Sequence, residues 1–251
     1  MLIQTDRHRQ EDLALWCEYE NADLEHGQKH LWAKVKSAFG EIELFRADGR
    51  AYCSVSWGKD SVVVADLVMR VAPSTPIRHL RVEPSHNPEC DQVRDAFLKI
   101  WPACDYAEET VDYGDLDRSV LGEQYDRETD QRFFAGFRRI ERALATDRHI
   151  TGIRSDESTG RRIREAIHGP SSGRTCAPIT RWSQQDVFGY LAGRNLPVHP
   201  NYAMLGGGRW RRDQIRTAEI GDVHGRGIGR DEWEREYFGD LLAKLNAHPS
   251  P

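Results

Sequence analysis

A chain of 251 residues, 39% hydrophobic and 30% charged, has room for one α/β core with a helical appendage or for two small domains. Its net charge of −5 argues against a general nucleic-acid coat, but the charge is unevenly spread. Between Gly136 and Arg235 stand 18 arginines and no lysine against 12 acidic residues, a local excess of six that suits phosphate or sulfate, or is simply a solvated surface. No apolar run approaches membrane-spanning length and Met1–Arg7 lacks a signal-peptide core, so a cytoplasmic location is expected. Cys17, Cys53, Cys90, Cys104 and Cys176 are scattered without a C-x-x-C pair, which gives neither a disulfide framework nor a zinc site.

Leu13, Trp16, Cys17, Tyr19 and Leu24 recur at helical spacing and predict a helix over His8–Glu25. A second helix is predicted over Gly27–Phe45, and residues 1–48 are read as helices packing on the core. Tyr52–Val55 reads as a short buried strand, Ser56–Gly58 as a tight turn, and a helix starts near Asp60 with Leu67 and Val68 inward. A strand, a small-residue turn and a helix start make an anion site. The first amides of the helix lack internal partners, the dipole adds to their pull, and Ser56, Ser61 and Lys59 add hydroxyls and a charge. Walker A spacing would need glycine where Cys53 stands. The bland alternative is an ordinary turn with a solvated lysine.

Pro73–Pro76 breaks the chain before a second strand over Ile77–Val82, so a parallel crossover unit is predicted. In the loop that follows, Pro88-Glu89 either faces the ligand side or merely opens a helix. A helix over Gln92–Trp101 and a strand over Cys104–Val111 come next. Asp112–Asp130 reads as a long polar loop, and Phe133, Phe134, Phe137, Ile140, Ala143 and Leu144 mark an amphipathic helix.

A further strand is predicted to end at Gly152-Ile153, with Arg154 emerging beside a helix start. Arg154 there either grips an anion with two nitrogens or pairs with Asp156 or Glu157. Arg161, Arg162 and Arg164 follow at spacings that place two of them on one helix face. Ser183 is a good N-cap for a helix burying Val187, Tyr190 and Leu191. Gly206-Gly207-Gly208-Arg209-Trp210-Arg211-Arg212 either offers a mobile base-stacking and phosphate-binding segment or is a hinge with solvated charges. A last helix over Asp231–Leu245 closes a third segment, 204–251.

The stretch Ser56-Trp57-Gly58-Lys59-Asp60-Ser61 resembles the S-x-G-K-D-S loop of PP-loop ATP pyrophosphatases, within the adenine nucleotide α-hydrolase-like superfamily. Trp57 stands where that family commonly has a second glycine. Pro88-Glu89 resembles the Pro-Glu of sulfonucleotide reductase relatives. Gly152–Ser158 resembles the G-x-R-x-[DE]-E-S segment of those reductases and of sulfate adenylyltransferase small subunits. Pro178–Leu191 resembles a third family signature, P-[IL]-x-x-W-[ST]-x-x-D-V-[WF]-x-Y-[IL], followed by Leu196–Tyr202 at the substrate pocket. The resemblance covers residues 50–203, and residues 49–203 are read as the nucleotide-binding domain.

The resemblance implies an α/β fold with a doubly wound, mostly parallel sheet of HUP type between flanking helices. It implies ATP and Mg²⁺, with pyrophosphate and nucleotide held by Ser54, Ser56, Trp57, Gly58, Lys59, Asp60, Ser61, Gly152 and Arg154. Lys59, Asp60 and Arg154 become the catalytic candidates, with Asp60 the protein contact for Mg²⁺. Glu89, Arg161, Arg162, Arg164, His199, Arg209, Arg211 and Arg212 are candidates for the substrate side. Phosphoadenylylsulfate reductases usually lack that lysine and use a cysteine in E-C-G-[IL]-H, and no cysteine follows Cys176 here. Thiol-dependent reduction is therefore not expected, nor is an iron–sulfur cluster. The expected activity is cleavage of ATP between its α- and β-phosphates to activate an acceptor for sulfur incorporation. The chain is similar to the sulfur-activating subunits of DNA phosphorothioation systems, with DNA, a cysteine desulfurase-type donor and further subunits as partners, and oligomers open. The alternatives are a sulfate adenylyltransferase-like or reductase-like sulfonucleotide enzyme, or a non-catalytic subunit in which Trp57 blocks closure. Cys90 and Cys176 are either a sulfur relay or small buried residues.

Overall fold

The computed structural model describes residues 1–114, 116, 123–217, 219–221 and 230–247. Five parallel strands form the sheet: β1 (Tyr52–Val55), β2 (Ile77–Glu83), β3 (Tyr106–Asp112), β4 (His149–Ile150) and β5 (Thr175–Cys176), in the order β3-β2-β1-β4-β5. The chain walks outward from β1 to β3, then crosses back to β4 on the other side of β1. The connections therefore diverge above β1 and β4, which opens a crevice at their carboxyl ends. The doubly wound α/β class expected from the sequence is the one observed. β1 sits in the middle of the sheet, and Tyr52, Cys53 and Val55 are all buried, as a strand covered on both faces requires.

The helices are α1 (Gln10–His30), α2 (Trp32–Ala47), α3 (Lys59–Val71), α4 (Glu89–Ile100), α5 (Glu123–Leu144), α6 (Thr159–His168), α7 (Gln184–Gly193) and α8 (Arg230–Ala247). The break between the first two falls at Leu31, not before Gly27. Gly27 instead lies inside α1, because it makes the crossing with α7: a Cβ there would stand 2.6 Å from the Gly189 carbonyl oxygen. Trp16 packs edge-on to Phe188 at the same crossing, 5.9 Å between ring centroids. α5 begins at Glu123, so the predicted loop through Asp130 is helical from that point. Between Asp126 and Asp130 the helix is polar and, Thr129 apart, outside the core, which hid its period. β4 ends at Ile150, earlier than the predicted Gly152-Ile153, because the chain leaves the sheet to lie against the start of α3.

Buried carboxylates fasten the helices to this frame. Asp66 of α3 accepts from Tyr190 at 2.7 Å, from Trp101 at 3.2 Å and from Arg194 at 3.2 and 3.3 Å. Asp186 closes a capping box with Ser183 and takes His26 at 2.9 Å and Lys34, which ties α7 to α1 and α2. Asp12 accepts from the Leu205 and Gly207 amides at 3.2 and 2.8 Å and from the Tyr237 hydroxyl at 2.6 Å. The triple glycine is thus a backbone nest around a buried carboxylate rather than a mobile hinge, and its positive φ values (56, 61 and 99°) are what the nest needs.

Gly27→Ala gains up to about 1 kcal/mol in helix propensity but forces the α1–α7 crossing apart. Overpacking of this kind costs about 1–3 kcal/mol, so urea unfolding should show net destabilisation. Unchanged or raised stability would mean that the two helices do not touch here.

Candidate nucleotide site

The loop leaving β1 is closed by Ser61, whose hydroxyl donates to the Gly58 carbonyl at 2.9 Å and accepts from the Ser56 amide at 3.2 Å. Gly58 caps α3 in extended conformation (φ −74°, ψ 166°), and a Cβ on it would lie 2.8 Å from Thr217 Oγ1. The Lys59 amide donates to the Tyr202 hydroxyl at 3.2 Å. Ser54, Ser56, Gly58 and Lys59 all line one cleft.

Trp57 departs from its expected role. Its backbone has φ +59°, the left-handed conformation that favours glycine, at a cost of about 1–3 kcal/mol for such a residue. Its ring turns away from the cleft and is buried against Phe97 and Tyr106, with centroids at 5.6 and 5.4 Å, while Nε1 donates to Tyr106 Oη at 3.3 Å. Burial of an indole offsets the backbone strain. The side chain neither binds in the cleft nor obstructs it.

Three charged groups meet at the switch point. Lys59 Nζ lies 2.7 Å from Asp60 Oδ2, and Asp60 Oδ1 lies 2.6 Å from Arg154 Nε. Burial works against the Lys59 charge, but the Tyr202 oxygen and Asp60 outweigh it and hold the ammonium above its ordinary pKa. Arg154 is 3% exposed and also holds Asp156 at 2.7 Å and Glu157 at 3.8 Å. Arg154 lines the cleft and is salt-bridged there, with Nε on Asp60 and Nη1 on Asp156. Gly152 permits the approach, since a Cβ there would stand 2.7 Å from the Asp60 carbonyl carbon.

The cleft encloses ≈ 860 Å³. The phosphate-loop end is polar, whereas Leu80, Val82, Phe133 and Phe137 supply an apolar wall of the kind a planar base packs against. Arg161 pairs with Glu157, and partial burial plus the charge of Arg216 keep its guanidinium below its ordinary pKa. Arg216 is exposed and has no carboxylate partner among the described residues. Asp60, by contrast, has both oxygens engaged by cations, and no group of three or more metal-ligating side chains occurs among the described residues. That arrangement does not fit Asp60 as the holder of a resident Mg²⁺.

Several expected substrate residues lie elsewhere. Glu89 opens α4, is 4% exposed, and takes Gln92 at 2.8 Å and Arg7 at 3.4 Å away from the cleft. Arg162 reaches only Thr159, and neither it nor Arg164 lines the cleft. Arg212 forks onto buried Asp23 at 2.5 and 2.7 Å and stacks 4.2 Å from the Phe188 ring centroid, a structural clamp. Arg209 pairs with Glu232 and Glu236 and covers Trp210, and Arg211 pairs with Asp213. Acids thus consume the segment read as a nucleic-acid contact. His199 sits behind the cleft wall, with Nε2 3.4 Å from Cys90 Sγ. Cys90 lines the cleft, while Cys176 ends β5 and points its sulfur at the Glu41 carbonyl, 3.9 Å away beside α2. The two sulfurs do not share the cleft. Burial pushes both thiols up, Cys176 to about 11, so neither is poised as a thiolate.

Tyr202, Arg216, His79 and Asn87 line the cleft without having been singled out in the sequence. Tyr202 stood in a quoted stretch and Arg216 beside the arginine-rich one. His79 and Asn87 had no local signal at all.

The phosphoadenosine phosphosulfate reductase domain matches residues 50–224. The chain belongs to this reductase-domain family. Among curated relatives, a phosphoadenosine 5'-phosphosulfate reductase of Synechococcus sp. is 24% identical over 59% of this chain and 66% of its own length. That of Alkalilimnicola ehrlichii is 26% identical over 78% and 79%. The chain thus spans just under two thirds of the first relative. Among solved structures, a phosphoadenylyl-sulfate reductase from Candida auris has a TM-score of 0.45 at 13% identity, covering 70% of this chain and 86% of that one. The U34-tRNA thiolase NcsA from Methanococcus maripaludis, solved with its [4Fe-4S] cluster, scores 0.46 at 13% identity, covering 86% and 77%. Scores this low carry nothing about chemistry, and the expectation of no cluster gains no support from them. Among the described residues no helix is long and apolar enough to cross a membrane.

Gly152→Ala should separate the β4 loop from α3 and weaken binding of a non-hydrolysable ATP analogue at least ~10-fold by calorimetry. Wild-type affinity in that variant would show that the two loops do not act together.

Proposed function

We propose that this family member binds MgATP in the cleft and cleaves it between the α- and β-phosphates, activating an acceptor for sulfur incorporation. The observation that carries this reading is the buried Lys59 ammonium at the start of α3, set in the closed Ser56–Ser61 loop beside Arg154. In this reading the first amides of α3 and Lys59 hold the leaving pyrophosphate and offset the charge that develops on it. Arg154 keeps Asp60 in place, so that Lys59 is held beside the phosphates rather than swinging free. Arg216 and Arg161 meet the remaining anionic oxygens at the cleft mouth. Magnesium enters as part of the nucleotide substrate.

The second reading, a sulfonucleotide enzyme acting on phosphoadenosine phosphosulfate, is favoured by the family match and by both curated relatives. Against a thiol-dependent reduction stands the burial of Cys90, the cysteine that lines the cleft, whose thiol is pushed well up. As acceptor we favour DNA or a comparable anionic polymer reaching the cleft past α6, where Arg162 and Arg216 are exposed, over the acid-paired Arg209–Arg212 segment.

Pyrophosphate and AMP release from α-labelled ATP tests the first reading, and sulfite release from phosphoadenosine phosphosulfate with a thiol donor tests the second. Lys59→Ala should lower pyrophosphate release at least ~100-fold, the scale of one lost electrostatic stabiliser. Unchanged turnover would remove the phosphate-loop assignment. Arg216→Ala should raise KM for ATP or the acceptor with little change in stability, because its guanidinium holds no carboxylate among the described residues. A melting temperature lowered as much as by Arg212→Ala would assign Arg216 to the scaffold instead.

A further inference from the structure

The parallel register aligns three residues in one row across the sheet: Val55 of β1 pairs with His79 of β2, and His79 pairs with Glu108 of β3. Register partners on neighbouring parallel strands carry their side chains on the same face, about 4.8 Å apart. Val55 precedes the phosphate loop directly, so His79 stands one strand away from it, and both line the cleft. Glu108 stands behind His79. His79 Nδ1 is buried without a hydrogen-bond partner, and its nearest carboxylate oxygen, Glu108 Oε1, is 3.6 Å away. A lone pair on Nδ1 would be repelled by that carboxylate, whereas an N–H is attracted, so the proton belongs on Nδ1. Nε2 is then left as the acceptor of a ring that lines the cleft. Such dyads are often loose without substrate and tighten in the complex.

Glu108 is built to stay ionised. It receives the Tyr106 hydroxyl at 2.5 Å and Arg94 at 2.9 Å, with Arg81 at 3.8 Å. His79 first, then Tyr106 and Arg94, hold its carboxyl far below the usual range despite burial. A second unpartnered polar group shares the wall: Asn87 is 2% exposed, lines the cleft, and its Nδ2 has no hydrogen-bond partner. The His79 ring and the unpartnered Asn87 amide thus both stand on the cleft wall, near the Ser56–Ser61 loop.

We propose that His79 accepts the proton of the nucleophile that attacks ATP, with Glu108 as its positioning residue, and that the attacking atom of the acceptor therefore carries an O–H or N–H, as on a base or sugar, rather than belonging to a fully ionised group such as sulfate or a phosphodiester. This rests on the adenylyl-transfer reading above. The nucleophile's electron pair forms the new bond to the α-phosphorus, the bond from that phosphorus to the bridging oxygen breaks, and pyrophosphate leaves with its electron pair. The nucleophile's proton passes to His79 Nε2. Water serves as the nucleophile when no acceptor is present, which makes the step testable with ATP alone.

The test follows AMP formation from α-labelled MgATP between pH 5 and 9, with binding of a non-hydrolysable ATP analogue and melting temperature as controls. A general base acting in the chemical step gives the wild-type rate an acid limb. The groups facing His79 are Glu108 and Tyr106 from β3, His86 at 6.1 Å between rings, Arg81 on its own strand, and Asp91 and Arg94 from α4 behind them. His79→Gln should lower kcat ~100-fold, leave analogue affinity within threefold, and abolish the acid limb. His79→Asn serves if the first variant melts early. Glu108→Gln removes the carboxylate that orients the ring and should slow the reaction without weakening analogue binding. Independently of turnover, ¹⁵N NMR of the His79 ring should show Nδ1 protonated in the wild type and the preference lost in Glu108→Gln. A His79→Gln enzyme within threefold of wild type with its acid limb intact would overturn the assignment, as would an unprotonated Nδ1. Sulfate-dependent ATP–pyrophosphate exchange that survives His79→Gln would overturn the substrate class. Wild-type protein that forms no AMP at any pH would instead bring down the adenylyl-transfer reading itself.

Discussion

Asp60 holds the cleft together. Its two oxygens take Lys59 from its own helix at 2.7 Å and Arg154 from the β4 loop at 2.6 Å, so one carboxylate spans the gap where the sheet order reverses. A buried lysine and a buried arginine side by side would repel each other and lose hydration worth several kcal/mol each. Placing an anion between them makes the arrangement tolerable without ligand. The same contact sets the spacing of the loops, which is why Gly152 has no space for a Cβ.

The helices repeat this device with other partners. Asp12, Asp23, Asp66 and Asp186 are each at most 2% exposed, and each is held by two or more donors from a different element. Buried charges of this kind are weak contributors to net stability, but they are costly to leave unmatched. They therefore specify which helix sits against which. Two arginines of the arginine-rich half are committed to this work, Arg194 on Asp66 and Arg212 on Asp23. The arginines that reach the cleft, Arg154, Arg161 and Arg216, are a minority.

The sheet and the strand–turn–helix unit at Tyr52–Val71 were legible in the sequence because they rest on local signals. An apolar run at Tyr52–Val55, a small-residue turn and a following helix can each be read within a dozen residues. The Gly206–Arg212 segment was misread for the converse reason: Asp12, Asp23, Glu232 and Tyr237 neutralise or pin it from distant parts of the chain. Trp57 was read as a cleft residue because its neighbours are, whereas one positive φ turns its ring to the far side. Cys176 is the small buried residue that was one of its two readings, and strand pairing sets the face its side chain takes. His79 and Glu108 could not be joined by any sequence reading, because 28 intervening residues separate them and only the β2–β3 register sets them side by side.

The ion pairs at the switch point also bear on how tightly a nucleotide can bind. Phosphate oxygens that reach Lys59 compete with Asp60, and those that reach Arg154 compete with Asp156, at 2.7 Å. Binding there is an exchange of one anion for another, so the gain is the difference between two charge-assisted contacts rather than the full strength of one. Arg216 is different, because no described carboxylate is displaced when it meets an anion at the exposed mouth of the cleft. Its contact is correspondingly more sensitive to salt than those inside, where screening is weak. The interior pairs thus fix geometry at modest net affinity, and the mouth adds attraction that varies with the medium. Under the proposed reading, that division suits a site that orients a triphosphate firmly and still releases its products.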